Sequence, residues 1–488
     1  MPQLQNPEKI DLRIWEHPIL SFERGRPVHI FLEDEKLEAY LGETVAAALY
    51  ASGIKVYSKS IKCGRPRGFF CGIGKCSSCL MRADGIPHTR ICIEPVKDKM
   101  RLTYEENRGE IPASNVPVFE EKKISVDLVV VGGGPAGLSA AVTAANLGVD
   151  VLVVDENPKI GGQLIKQTHK FFGSKSTYAG IRGIDIAKTL LNEMQKVDTK
   201  YACETSVIGY YNGKKHLLAA VQDNRRLLEI RTDGIVVATG ARENVLLFPN
   251  NDLPGIYCAG GIQTIMNVYG IRPGNDALVI GAGNVGMIVG YQLVQSGVNV
   301  KMIVEAAPKI GGYLVHASKL RRLGVPILTR HTIKRAEGKN HVEKVTIIEL
   351  DENGVQIEGT EQEVDVDLVC VAVGLTPSSE LLFQAGCKQV YMSELGGQVA
   401  LHNEDMETTM DGIYLAGDVS GIEEANTAIM EGRIAGAKVA SHYGKNKDEA
   451  VRIRKESLAS LKVLRSSPFS EKVLRGKEKI SELWRKTV

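Results

Sequence analysis

A strand, a glycine turn and a helix occur in that order twice in this chain of 488 residues, and no other feature restricts the fold as strongly. The first copy, SVDLVVVGGGPAGLSAA (125–141), runs an aliphatic, β-branched strand into Gly132-x-Gly134-x-x-Gly137 and a helix. Glycines so spaced permit the tight turn, the close approach of backbone to a pyrophosphate and the close helix–strand contact. The helix N-terminus then offers aligned N–H groups to phosphates. VDVLVVDEN follows, and Asp155 ends this second strand eighteen residues after Gly137, where an acid accepts from ribose hydroxyls. The second copy, NDALVIGAGNVGMIVGYQL (275–293), carries Gly281-x-Gly283-x-x-Gly286, and VNVKMIVEA brings in Glu305 nineteen residues on. An acid there, followed by Ala306 and Ala307 and no arginine, favours NAD(H) over NADP(H) at this site. The alternative is a Rossmann half that holds the fold without a nucleotide.

Three further segments extend the pattern. GIVVATGARE (234–243) reads as a buried strand ending in Thr239-Gly240, and DLVCVAVGLTP (367–377) repeats that ending after the second unit. IYLAGDVSG (413–421) precedes a helix beginning near Glu424, with Asp418 in the loop. The fold class is α/β, with two Rossmann-like dinucleotide-binding domains.

Ahead of them stand four cysteines, Cys71-GIGK-Cys76-SS-Cys79, then twelve residues and Cys92. C-x4-C-x2-C is the spacing of a plant-type [2Fe–2S] loop, in which thiolates clamp two irons from a glycine-containing turn. Structural zinc more often shows two separated C-x2-4-C or H-x3-5-H pairs. VHIFLEDEKLEAYL (28–41) predicts a hairpin turning at Glu33–Lys36, and GETVAAALYASGI (42–54) a short amphipathic helix closed by Gly53. Residues 80–104 supply strand-like pieces. Together these predict a small α+β ferredoxin-like domain over 1–115, after an irregular lead-in to residue 25. Cys63 falls outside the spacing and reads as a buried structural thiol. Arg65 and Arg67 read as ordinary surface charge, or as cations that steady an anionic cluster or a nearby flavin phosphate.

The length predicts two to four domains. The formal charge of +2 gives no reason to expect nucleic acid as partner, and no eighteen-residue apolar run predicts a membrane span. MPQLQNPEKIDLR is charged where a signal peptide is apolar. With four cysteines needed as thiolates, the expected compartment is a reducing cytoplasm.

Over about residues 120–445 the chain resembles the two-dinucleotide-binding flavoproteins, the class of thioredoxin reductase and NADH oxidase. The resemblance implies FAD at the first fingerprint, Asp418 of the GD motif on the ribityl chain, and Gly161-Gly162-Gln163 with Gly240 against the flavin. It implies a pyridine nucleotide at the second fingerprint. The implied layout is an FAD domain in two halves (120–245 and 367–445), an inserted nucleotide domain (246–366) and a basic tail (446–488). Disulfide reductases of this class carry two redox cysteines. Here PGIYCAGG offers Cys258 alone, with Gly261 at the second position, and one thiol cannot cycle as a dithiol.

With the ferredoxin-like domain added, the chain is similar to the α subunits of heteromeric sarcosine oxidase and dye-linked proline (or hydroxyproline) dehydrogenase complexes. Opine oxidase and hydrogen cyanide synthase components are also similar. That resemblance implies a β subunit carrying its own FAD and the amine substrate. It also implies FMN between subunits in some members, and NAD or ATP as alternatives to FAD in the first site. The expected function is an electron-transfer subunit, with flavin and [2Fe–2S] handing electrons to a further acceptor. The rival is a self-contained NADH:acceptor oxidoreductase, and a third reading is a scaffold whose nucleotides are structural. The tail, with thirteen Lys/Arg against six Asp/Glu over 445–488, reads as a solvated helix pair on its own domain, or as a partner-docking segment anchored by Trp484. His88 and His316 read as ordinary surface or loop residues.

Overall fold

The computed structural model describes residues 10–105, 120–172, 177–197, 199–223, 225–443 and 445–487. The chain divides into two compact units, each assembled from two stretches: Met1–Asn115 with Glu243–Gly374, and Val116–Arg242 with Leu375–Val488.

In the first unit, Pro27–Leu32 and Glu35–Tyr40 pair antiparallel around Glu33 and Asp34, the turn that the alternation predicts. Val28, Ile30 and Leu32 point inward at the two-residue period of a strand. Arg101–Thr103 lies parallel beside Pro27–Leu32, and Leu80–Ala83 and Ile86–Arg90 complete a five-stranded sheet. Helix Val45–Ala51 starts at Thr44, whose hydroxyl accepts the Ala47 N–H, and the chain leaves it through Gly53 at φ +83°. The expected amphipathic character is absent. All seven helical residues are buried, because VAAALYA has no polar side and sits in a core that also contains Tyr257, Ile262 and Ile265 of the second stretch.

That second stretch is a parallel sheet in the order Ile256–Cys258, Leu368–Val371, Asp276–Ile280, Asn299–Glu305, Ile327–Thr329. Covered on both faces, its central strands are continuous apolar runs such as LVCV. His331–Glu337, Lys344–Glu349 and Gln362–Asp365 form a separate three-stranded antiparallel sheet.

The second unit is built on the strand order Lys200–Ala202, Val151–Val154, Glu120–Val131, Arg226–Val237, His216–Gln222, Thr205–Tyr211, with Ile413–Leu415 parallel to Arg226–Val237. Helices Pro135–Asn146 and Ala425–His442 touch backbone to backbone. A Cβ at Gly432 would fall 2.1 Å from the Ala136 oxygen, and one at Gly436 2.4 Å from that of Ala140. The tail forms helices Lys447–Arg465 and Glu471–Thr487. Trp484, the candidate anchor for a partner, packs with Ile480 against Met392, Leu395 and Val399 of its own unit.

Candidate functional site

The four cysteines of the quartet come together. Cys71, Cys79 and Cys92 are buried and Cys76 half-buried, and their sulfurs lie within hydrogen-bonding reach as Cys76–Cys71, Cys71–Cys92 and Cys92–Cys79. The Cys71 thiol is held far below its ordinary range, first by the Cys76 and Cys92 thiols that donate to it and then by the Ile73 and Cys76 N–H groups. Gly72 and Gly74 turn the loop at φ +65° and +69°, and a Cβ at Gly74 would strike Ile93 at 2.7 Å. Among the described residues no group of three ligand side chains is placed to hold a single metal ion. A pairwise chain of four thiols with backbone donors aimed at sulfur suits a two-iron cluster, whose sulfurs carry negative charge.

The flanking residues have other occupations. Arg65 and Arg67 both reach Asp252, at 2.5 and 3.0 Å, so each partly exposed guanidinium has a carboxylate partner. Cys63 is exposed, not buried. His88 is exposed beside Glu105, as expected, but His316 is buried on helix Leu314–Arg322.

Cys258 caps the short helix Ala259–Gln263 directly against the quartet's loop, and its N–H donates to the Phe70 carbonyl at 3.3 Å. Burial pushes its thiol well up, followed by the charges of Glu243 and Cys71. Gly261 stands where the second thiol of a C-x-x-C would be. A Cβ there would lie 2.4 Å from the Phe70 oxygen, so the backbone of the quartet's loop fills the space that a second cysteine would need.

The two glycine fingerprints repeat each other closely. Gly132 and Gly281 take φ +107° and +102°. A Cβ at Gly137 or Gly286 would sit 1.9 or 2.0 Å from the carbonyl oxygen of the first glycine of its own motif. Gly134 and Gly283 are the N-caps of helices Pro135–Asn146 and Asn284–Gln295, and as glycines they place no capping side chain over the first turn. In the first copy Gly133 N–H donates to one Asp155 oxygen (2.7 Å) and Asn157 N–H to the other (2.8 Å). In the second, Ala282 N–H and Ala307 N–H hold Glu305 in the same way, at 2.7 and 2.9 Å. The repeat reaches further than the fingerprints. Pro158-Lys-Ile-Gly161-Gly162 and Pro308-Lys-Ile-Gly311-Gly312 are identical pentapeptides, and each brings a glycine under its own helix start. This signal is legible in the sequence and marks 308–312 as the counterpart of the flavin-side GG step; Tyr313 follows where Gln163 does.

Around the first fingerprint the second unit gathers Gly162, whose Cβ would meet Gly134 Cα at 2.6 Å, and Gly417, whose Cβ would meet that of Ala136 at 2.8 Å. Gln163 is exposed, and Gly240 turns at φ +68° beside Ser378. Asp418 is half-buried in the loop after Ile413–Leu415, and burial pushes its carboxyl up to about 7 with further help from Glu431 and Glu423. Bare N–H groups, backbone exposed at glycines and an oriented acid are the parts that a dinucleotide needs. The residues fit FAD at the first copy, with Gly132, Gly134, Gly137, Asp155, Gly162, Gln163, Gly240 and Asp418 as those that would hold it.

Residues 126–432 match the family described as pyridine nucleotide-disulphide oxidoreductase, and residues 25–107 match a 2Fe-2S iron-sulfur cluster binding domain. The chain belongs to the pyridine nucleotide-disulphide oxidoreductase family. It is an oxidoreductase with FAD and [2Fe–2S] as its cofactors. The alpha subunit of sarcosine oxidase from Corynebacterium sp. (strain P-1) is 26% identical over 451 residues, 88% of this chain and 45% of the relative. An opine oxidase subunit of Agrobacterium tumefaciens (strain Ach5) is 29% identical over 326 residues, 63% of this chain and 64% of that one. The chain thus spans about half the length of the first of these relatives. L-proline dehydrogenase from P. horikoshii superimposes with a TM-score of 0.69 at 26% identity, covering 90% of this chain and 79% of the other. Thioredoxin reductase of T. acidophilum shares the fold of 66% of this chain at a TM-score of 0.54. Among the described residues no helix is long and apolar enough to cross a membrane.

Proposed function

We propose that the chain is the electron-transfer subunit of a heteromeric amino-acid or secondary-amine dehydrogenase, of the proline, hydroxyproline, sarcosine or opine class. A partner chain carrying its own FAD would oxidise the amine. The observation that carries this reading is the seat of the quartet's loop on Cys258–Gly261. One of the two positions that carry the redox dithiol in disulfide reductases of this class is filled here by the backbone of the loop that would hold a one-electron centre. When bound, FAD and the cluster supply the conversion of electron pairs to single electrons. The chain's own residues contribute placement: Cys71, Cys76, Cys79 and Cys92 hold the cluster, Gly132, Gly134 and Gly137 open the backbone to a pyrophosphate, and Asp155 orients a ribose. Relatives named as subunits of sarcosine and opine oxidases support a partner chain.

Native purification with identification of co-purifying chains, followed by anaerobic addition of sarcosine or L-proline, tests the reading. Bleaching of the cluster absorbance by an amine in the complex, and not in the isolated chain, is the expected result. Bleaching of the isolated chain by the amine would overturn it. A second reading, an NADH:acceptor oxidoreductase, is favoured by one observation: the second cradle keeps its glycines and an oriented Glu305. Rapid bleaching of the isolated chain by NADH would support it.

A further inference from the structure

Loop 417–423 receives an unusual concentration of buried charge from the tail. Glu431, on helix Ala425–His442, is 2% exposed, and its Oε2 accepts the Gly417 N–H (2.9 Å) and the Ser420 hydroxyl (2.8 Å). Its Oε1 accepts Arg465 (2.6 Å) and Lys477 (2.9 Å), one from each tail helix. Arg465 also clasps both oxygens of Glu423, at 3.0 and 2.6 Å. Lys477 donates to the Ser420 hydroxyl (2.7 Å) and carbonyl (3.2 Å). The side chains of Arg465 and Lys477 are 14% and 10% exposed, far from the solvated state that a basic tail suggests. Within the same loop the Glu423 N–H reaches an Asp418 oxygen at 3.4 Å. At Ser420 and Glu423 the tail therefore grips the loop just after Asp418, while Glu431, which it also holds, fixes Gly417 just before it.

Packing alone does not call for this arrangement. Burying two cations and two acids costs desolvation, which apolar residues of similar size would avoid. What it gives is geometry: charge-assisted bonds are short and directional, and here they fix Gly417, Ser420 and Glu423 at once. We infer that the C-terminal helices act as a clamp on the flavin loop, Arg465 and Lys477 being positioning residues that hold Asp418 for FAD through Glu431 and Glu423. The clamp rests on the reading of the first fingerprint and Asp418 as the FAD site.

The test uses full-length protein carrying Lys477→Met or Arg465→Met, with Lys477→Arg as the conservative variant. FAD affinity is read by flavin fluorescence, and iron per chain and cluster absorbance report whether the first unit has formed. Each Met variant is expected to raise the Kd for FAD about tenfold, the scale of one lost charge-assisted bond. Lys477→Arg should recover most of the loss, and the iron content should match the parent protein. The melting-temperature gain on adding FAD should shrink in step, since that gain follows ligand affinity. A purely structural tail would lower the melting temperature with and without FAD alike, at unchanged Kd, and this overturns the clamp. Should both Met variants fail to fold, Ser420→Ala carries the test, because it cuts one Lys477 contact and one Glu431 contact while leaving every charge paired. An unchanged Kd in that variant overturns the clamp equally. A parent protein that binds no FAD would overturn the site reading itself and the clamp with it.

Discussion

Gly261 lies beneath the Phe70 carbonyl, so close that a Cβ at 261 would stand 2.4 Å from the oxygen and 3.2 Å from the carbonyl carbon of Cys71. Both neighbours are backbone and belong to the loop that carries the first cluster ligand. Gly261→Ala should therefore displace Cys71, costing about 1–3 kcal/mol as overpacking does. Gly261→Cys, which writes a C-x-x-C into the helix start, should do the same without creating a disulfide reductase. Iron per chain and the cluster's visible absorbance are expected to fall in both variants. A Gly261→Cys chain that kept its full iron and reduced a disulfide with NADH would show that the loop yields.

The quartet and its neighbours separate cleanly by partner. Replacing Cys71, Cys76, Cys79 or Cys92 with Ser should abolish or sharply reduce bound iron, because each thiol sits in the pairwise chain. Cys63→Ser should leave iron content and spectrum as they are, since that thiol is exposed. Arg67→Ala should likewise spare the cluster and cost about 0.2–1 kcal/mol, the range of a solvent-exposed pair, through loss of Asp252. Iron assay and thermal melting on the six variants decide the point.

Asp418 gives the FAD-free protein a particular pH dependence. Its carboxyl is raised from an ordinary value of 3.8 to about 7, chiefly by burial. Between these values the unfolded chain loses the proton first while the folded chain keeps it, so the group makes the fold progressively less stable as pH rises from about 4 to about 7. Below about pH 4 both forms are protonated and the effect vanishes. Asp418→Asn removes it. The variant's advantage in unfolding free energy, read from melting without FAD, should be near zero at about pH 4, grow to about pH 7 and then level off at roughly a few kcal/mol. With FAD added the variant should bind more weakly. A gap that is constant across that whole range would contradict the assignment.

How much of this is legible in the sequence depends on whether the signal is local. The fingerprints, the acids at 155 and 305 and the cysteine spacing are local patterns, and each sits on the strand, turn or loop end that its spacing implies. The helix at 45–51 is legible as a helix but not as a fully buried one, because which faces are covered depends on residues some two hundred positions away. Arg65, Arg67, Arg465 and Lys477 escape for the same reason. A cation's partner is a tertiary fact, and Asp252, Glu423 and Glu431 stand at no helical spacing from them. Glu431 gives no sign at all, as a single acid in a helix carries no mark of burial. The PKIGG repeat, at 158–162 and 308–312, is by contrast a local signal open to inspection.

Gly137→Ala and Gly286→Ala are the same change made in two copies of one cradle. Each new Cβ would meet a carbonyl oxygen at 1.9 or 2.0 Å, and neither the strand nor the helix can retreat without moving the glycine turn between them. Each should therefore lose its own nucleotide and keep the other's. Gly137→Ala is expected to release FAD while the chain still gains thermal stability from NADH. Gly286→Ala should retain FAD and lose the gain from NADH, because bound ligand stabilises only the site that it occupies. Thermal melting with each nucleotide separately reads all four combinations. If NADH stabilises neither the parent protein nor Gly137→Ala, the second cradle is a structural copy holding the fold, and Glu305 is oriented for no ribose.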